Sequence, residues 1–148
     1  MGTSNEKSIP TWFWVVAGIA LLWNLIGTAI FFQELLNQEA LIKDWTEPQK
    51  EWARGTPRWI YFVFGISVFT GLVGSIALLM RKAWSIPLFT VSLVAVLVQM
   101  IYTMVIAGGL QVMGAGSAVM PSLVIFLAGL WLIGSIQFRK KQWLRSSK

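Results

Sequence analysis

The sequence predicts an all-α integral membrane protein, a four-helix bundle, on three observations. The chain has 148 residues, of which 56% are hydrophobic and only 12% charged, and its mean hydropathy is +0.68. A soluble domain of this size has too high a surface-to-volume ratio to hide that much apolar side chain, so lipid is expected to be its solvent. Four apolar stretches also approach the roughly 20 residues that a spanning helix needs, and the charged residues fall between them.

The first span, about residues 11–33, runs "TWFWVVAGIALLWNLIGTAIFF" without a charge, just after Pro10. Its apolar part exceeds the 7–15 residues of a signal-peptide core, and no A-x-A site follows, so it reads as a retained span. The second, about 58–80, is entered through "GTPRW". After Arg81 and Lys82 no charge appears until Arg139, a stretch too long for one crossing. Glycines and Pro121 in "AGGLQVMGAGSAVMP" oppose helix, which splits it into spans of about 86–107 and 119–138. The charge-free connection between them reads as a flexible turn at the headgroups. A re-entrant segment is the less favoured reading, because its backbone would need protein or water partners.

The first outer loop, 34–57, predicts two short interfacial helices. "QELLNQEALIKDW" mixes apolar and acidic residues, as a helix lying on the interface does. "TEPQKEWARG" starts with Thr46 as N-cap, carries acid and Pro in the first turn, and stops at Gly55. The whole chain, 1–148, is then one membrane domain with a basic tail at 139–148.

Four spans place both termini on one side. That side holds Lys7, Arg81, Lys82, Arg139, Lys140, Lys141, Arg145 and Lys148, and the other holds Lys43, Lys50, Arg54 and Arg58. The asymmetry predicts cytoplasmic termini. Trp12, Trp14, Trp84 and Trp143 then mark the inner boundary and Trp59 the outer one. The net charge of +6 follows from this topology, so no nucleic-acid partner is expected. The tail can also attract anionic lipid.

The ends "GSIALLMRKAW" (74–84) and "GSIQFRKKQW" (134–143) are alike, and spans one and three each carry one amide, in "LLWNLIG" and "VLVQMIY". This suggests two helix-hairpin repeats, parallel in the membrane. Chance explains the same signal at least as well, because RK followed by W marks any cytoplasmic boundary.

Asn24 shares a helix face with Ala17, Ala20, Gly27 and Thr28; Gln99 shares one with Ser92, Ala95, Tyr102 and Thr103. Ser67, Gly71 and Ser75 form a small-xxx-small stripe, expected either to pack internally or to provide a dimer contact. Counted from the inner boundary, Asn24 and Gln99 lie roughly 18 and 20 Å along their helices. Ser67 and Thr70 fall at similar depth. Asn24, Ser67, Thr70, Gln99, Tyr102 and Thr103 are therefore the candidate polar layer. The favoured role is structural, an Asn24–Gln99 hydrogen bond worth roughly 0.6 kcal/mol. The alternative is a small polar pocket for a neutral ligand.

No Asp, Glu, Lys or Arg lies inside any of the four predicted spans, unlike a proton-coupled carrier. The chain has no Cys and no His, which removes thiol nucleophiles and the usual zinc and haem ligands. No catalytic constellation, metal cluster or phosphate loop is legible, so no enzyme, metal or cofactor is expected.

"TWFWVVAGIALLWNLIG", "RKAWSIPLFTVSLVAVLVQMIY" and "MPSLVIFLAGLWLI" together resemble a family of small four-span bacterial inner-membrane proteins of similar length, often labelled sugar transporters. The resemblance implies the bacterial inner membrane and uptake of a neutral solute. It places Asn24 and Gln99 in a shared pattern without assigning them a role. Four helices leave little lumen around their own side chains, so a transporter of this size is expected to pair as a homodimer. The competing expectation is a non-catalytic accessory subunit docked on a larger membrane complex.

Overall fold

The structure is a computed structural model that describes residues 8–146; Lys7 and Lys148, which enter the charge asymmetry, lie outside them. Every regular element among these residues is helical, apart from one isolated backbone bridge between Lys82 and Arg145. The α-helices are α1 (Thr11–Leu41), α2 (Glu47–Arg54), α3 (Arg58–Leu79), α4 (Ser85–Ile101), α5 (Gly109–Met113) and α6 (Val119–Lys140). Four segments, Thr11–Leu41, Arg58–Leu79, Ser85–Ile106 and Ala115–Lys140, are long and apolar enough to cross a membrane.

α3 and α4 form the central pair. α1 packs on α3, and α6 packs on α4. Small residues set the close approaches. A side chain at Gly74 would press on the ring of Phe89 at 3.2 Å, and one at Gly65 would meet Phe31 at 3.3 Å. With no hydrophobic drive between helices in lipid, such backbone proximity is what holds apolar helices together.

The end that carries the termini is closed by aromatic packing. Phe13 of α1 meets Phe138 of α6 at 4.9 Å and Trp143 at 6.1 Å between ring centroids, and both ring pairs are edge-on. Leu78, Phe89 and Leu144 complete this cluster. The basic tail therefore does not run free. Trp143 and Leu144 are buried, and the segment straps onto the α3–α4 turn. The Arg145 N–H donates to Arg81 O at 2.6 Å, the Ala83 N–H to Arg145 O at 3.0 Å, and the Arg81 guanidinium Nε to Trp143 O at 3.0 Å. Trp143 is a core residue here rather than a boundary ring.

α3 and α6 end alike. Lys82 N–H donates to Ala77 O and Arg81 N–H to Leu78 O; Trp143 N–H donates to Phe138 O and Gln142 N–H to Arg139 O. This is the Schellman closure, with Arg81 and Gln142 left-handed at φ 60° each, where Gly is the usual residue.

The opposite end differs from the sequence-based expectation in two ways. Residues 34–36 continue the first helix directly, and at Asn37 the backbone leaves helical geometry (φ −133°, ψ 33°), so that 38–41 follow across a kink. Up to that kink α1 is about 39 Å long, beyond a hydrocarbon core of about 30 Å. The charge-free connection after α4 is also helical. It runs through a π-turn at Tyr102–Ile106, α5 and a 3₁₀ turn at Ala115–Ala118. The π-turn is closed by Ala107 N–H to Tyr102 O at 2.7 Å.

α2 forms where its local signals place it. Thr46 is extended, Pro48 stands in the first turn, and Gly55 ends the helix. The Thr46 N–H donates to Gln49 Oε1 at 3.1 Å.

A cavity between α1 and α6, roofed by α2 and α5

Among the expected polar layer, the amide nitrogen of Asn24 is engaged, but not with Gln99. Its Nδ2 donates to Ala20 O at 2.8 Å and to Ser75 Oγ at 3.0 Å. The Ser75 hydroxyl passes the chain on to Gly71 O at 2.9 Å. A Cβ at Gly71 would overlap Asn24 Oδ1 and stand 3.0 Å from Ser92 Oγ. Ser67 and Ser92 exchange hydroxyl-to-carbonyl bonds between α3 and α4, at 3.3 and 2.8 Å. The Ser67-Gly71-Ser75 stripe thus packs inside the chain, against both α1 and α4.

The other layer candidates separate from this group. Thr70 and Thr103 turn back on their own helices, donating to Ile66 O and Gln99 O at 2.7 and 2.9 Å. Tyr102 packs its ring on Trp59 at 4.8 Å at the edge of the roof. Gln99 is 8% exposed, and its Oε1 is buried with no hydrogen-bond partner. The predicted Asn24–Gln99 bond is absent: Ser75 takes the amide of Asn24 and leaves Gln99 facing open space.

That space is a cavity of about 690 Å³. It begins at Phe89 and Trp131, at the edge of the aromatic closure, passes the layer of Asn24, Ser67, Ser92 and Gln99 and rises through the half of the molecule away from the termini. α1 supplies Asn24, Gly27, Glu34 and Gln38; α6 supplies Pro121, Val124, Ala128 and Trp131. Two further lining residues, Trp52 and Trp131, carry a buried indole Nε1 without a partner among the described residues, and the hydroxyls of Ser85 and Ser135, outside the cavity, are in the same state.

α2 and α5 roof the cavity. Gln38 Nε2 donates to Ala53 O at 3.1 Å and to Tyr61 Oη at 2.7 Å. Arg54 grips both carboxylate oxygens of Glu39, at 2.9 and 2.7 Å. On the surface of α2 the Lys50 ammonium, 2.9 Å from Glu47, holds that carboxyl below its usual range. Trp52 lies over Gly109, where a Cβ would come within 2.9 Å of the indole. A larger residue at 109 would lift the roof.

The cavity also reaches the flank. Ile26 and Ile30 on α1 and Met120 on α6 line it and are 48%, 43% and 59% exposed. α6 has only two buried residues, Ser135 and Phe138, both near its closed end. The seam between α1 and α6 is therefore shut by aromatics at the end of the termini and open, with apolar edges, above.

Sequence reasoning missed Glu34, Gln38, Tyr61, Trp52 and Trp131. A signal for two of them existed. The face of Asn24 and Gly27 continues through Glu34 and Gln38 at helical spacing, past the residue where the apolar run appears to stop. Comparison with known proteins adds nothing to this picture: no family model, curated protein or solved structure matches the chain.

Proposed function

We propose that the chain is a transporter-like protein of the bacterial inner membrane that takes a small solute into this cavity. One observation carries the reading: a cavity open above and sealed below by the cluster of Phe13, Phe89, Phe138 and Trp143, with the polar residues Asn24, Ser67, Ser92 and Gln99 in its wall. A carrier open to one side of the membrane needs such an arrangement. The excess of Lys and Arg at the closed end supports cytoplasmic termini, which faces the cavity outward. The polar residues in its wall, Asn24, Ser67, Ser92, Gln99 and Thr103, are uncharged, which suits a solute that is uncharged over most of its body. The matching closures of α3 and α6, each after a fully buried serine, Ser75 and Ser135, support the reading of two hairpin repeats.

Counterflow of small solutes, neutral monosaccharides and organic amines among them, into proteoliposomes tests the proposal. Exchange that Gln99→Leu abolishes, in a variant that stays folded, is the expected result. No exchange of any solute, with Gln99→Leu indistinguishable from the parent, would rule it out.

A second reading, a non-catalytic accessory subunit, is favoured by the upper part of α6, which has no buried residue before Ser135. A stoichiometric larger partner in the mass of the complex extracted from native membrane decides for it. A homodimer free of other chains decides against it.

A further inference from the structure

Resting on the reading of this cavity as a solute site, its charge distribution and its walls narrow the class of solute. Of all the residues that line it, Glu34 alone is charged; no Lys or Arg reaches it. Of the other acids on this end, Glu39 pairs with Arg54 and Glu47 with Lys50, and Asp44 and Glu51 are exposed to solvent outside the cavity. No cation among the described residues pairs with Glu34. A half-buried carboxylate without a partner carries a desolvation cost that a bound cation relieves.

The surroundings of Glu34 suit an organic cation rather than a hydrated metal ion. The described residues hold no cluster of acids able to bind a metal. Instead Trp45, Trp52, Tyr61 and Phe64 line the same cavity, and aromatic faces attract ammonium groups. Gln38, just past the kink at Asn37, is held by Tyr61 and by the backbone beside Trp52, and Glu34, just before that kink, lines the same cavity as these aromatic residues. Below it the walls are apolar, and the flank opening between Ile26, Ile30 and Met120 is apolar too. Deeper again the wall carries the uncharged polar side chains of Asn24, Ser67, Ser92 and Gln99.

We propose that the cavity binds an amphiphilic organic cation, an amine or quaternary ammonium on an apolar body. Glu34 is its counter-charge, and the seam between α1 and α6 is its way in. The cationic end sits at the upper rim, where Glu34 lies about 35 Å along α1 from Thr11, near the level of lipid headgroups. The apolar body fills the space down toward Gln99.

The test uses the full chain in nanodiscs of uncharged phosphatidylcholine. Binding of 4-phenylbutyltrimethylammonium and of uncharged 4-phenylbutanol is read by tryptophan fluorescence, with empty discs subtracted. The cation is expected to bind about tenfold or more tighter than the alcohol, the scale of a desolvated charge pair with aromatic contacts. Glu34→Gln should bring it down to the alcohol's level and leave the alcohol unchanged, whereas Glu34→Asp should keep most of the preference. Equal binding of both probes, or a cation preference that survives Glu34→Gln, overturns the cation assignment and leaves the cavity as a solute site. Failure of both probes and of neutral sugars to bind the folded protein overturns the solute site itself.

Discussion

Asn24 and Gln99 look equivalent in the sequence, each a lone amide in an apolar helix, and the structure makes them opposites. Asn24 spends its donor on Ser75 across the α1–α3 contact, so Asn24→Leu should cost about 0.6–1.7 kcal/mol, the measured range for polar pairs in membranes. Gln99 holds a buried acceptor without a partner. Gln99→Leu should therefore be neutral or should stabilise by about 1 kcal/mol, because an unsatisfied group is removed. Reversible unfolding in mixed micelles would check both, and a loss of stability on Gln99→Leu would mean that the amide is internal glue. Gly71 is the tightest point of the same layer. Gly71→Ala drives a methyl group into Asn24 Oδ1 and should destabilise by about 1–3 kcal/mol, the usual cost of overpacking.

The elements differ in how they are held. α2 has strong local signals, yet eight residues, little more than two turns, do not stay helical alone. Its anchor is Gln38, which reaches both Ala53 and Tyr61. Gln38→Ala should speed hydrogen exchange across Glu47–Arg54, measured by mass spectrometry. Arg54→Ala should do so far less, since its pair with Glu39 is exposed and screened by salt. The helix ends make a separate prediction. Gln142 takes a left-handed conformation that L-residues adopt at a cost of roughly 1–2 kcal/mol, with φ 60°. Gln142→Gly should recover part of that, offset by the greater freedom of glycine in the unfolded chain, and raise the unfolding midpoint slightly. Arg81 has the same φ, but its guanidinium also holds Trp143 O, so Arg81→Gly should gain less.

For the whole molecule, the decisive feature is asymmetry along one seam. α1 and α6 meet through Phe13, Phe138 and Trp143 at one end and part above them. If solute crosses, that aromatic closure has to open. The chain has no cysteine, so the pair Phe13→Cys and Phe138→Cys can be bridged cleanly with a short bifunctional reagent. Cross-linking should stop solute exchange in proteoliposomes while leaving probe binding to the cavity intact. Exchange that persists in the fully bridged protein would place the path elsewhere.

The sequence by itself determined the four long apolar helices and the short α2, because both depend on local properties. Each long helix needs only enough consecutive apolar residues to satisfy its backbone within lipid, and α2 needs its extended Thr46 and a proline in the first turn. Whatever depends on partners far apart in the chain was decided by tertiary structure. Residues 34–41 mix charge with apolar groups and read as part of a separate interfacial helix; they join α1 across the kink at Asn37, where Ala53 and Tyr61 hold Gln38. That continuation carries Glu34 to the cavity, although the predicted spans contain no acid. The choice of Ser75 over Gln99 as partner for Asn24 is a matter of which helix lies nearer, a distance that no spacing within one helix encodes. The basic tail reads as an orientation signal, yet it docks because Trp143 and Leu144 find Phe13 and Phe138 beside them. The cavity, finally, is the volume that α1 and α6 do not fill. Periodicity tells which face of a helix is buried, but not how far apart two such faces stand.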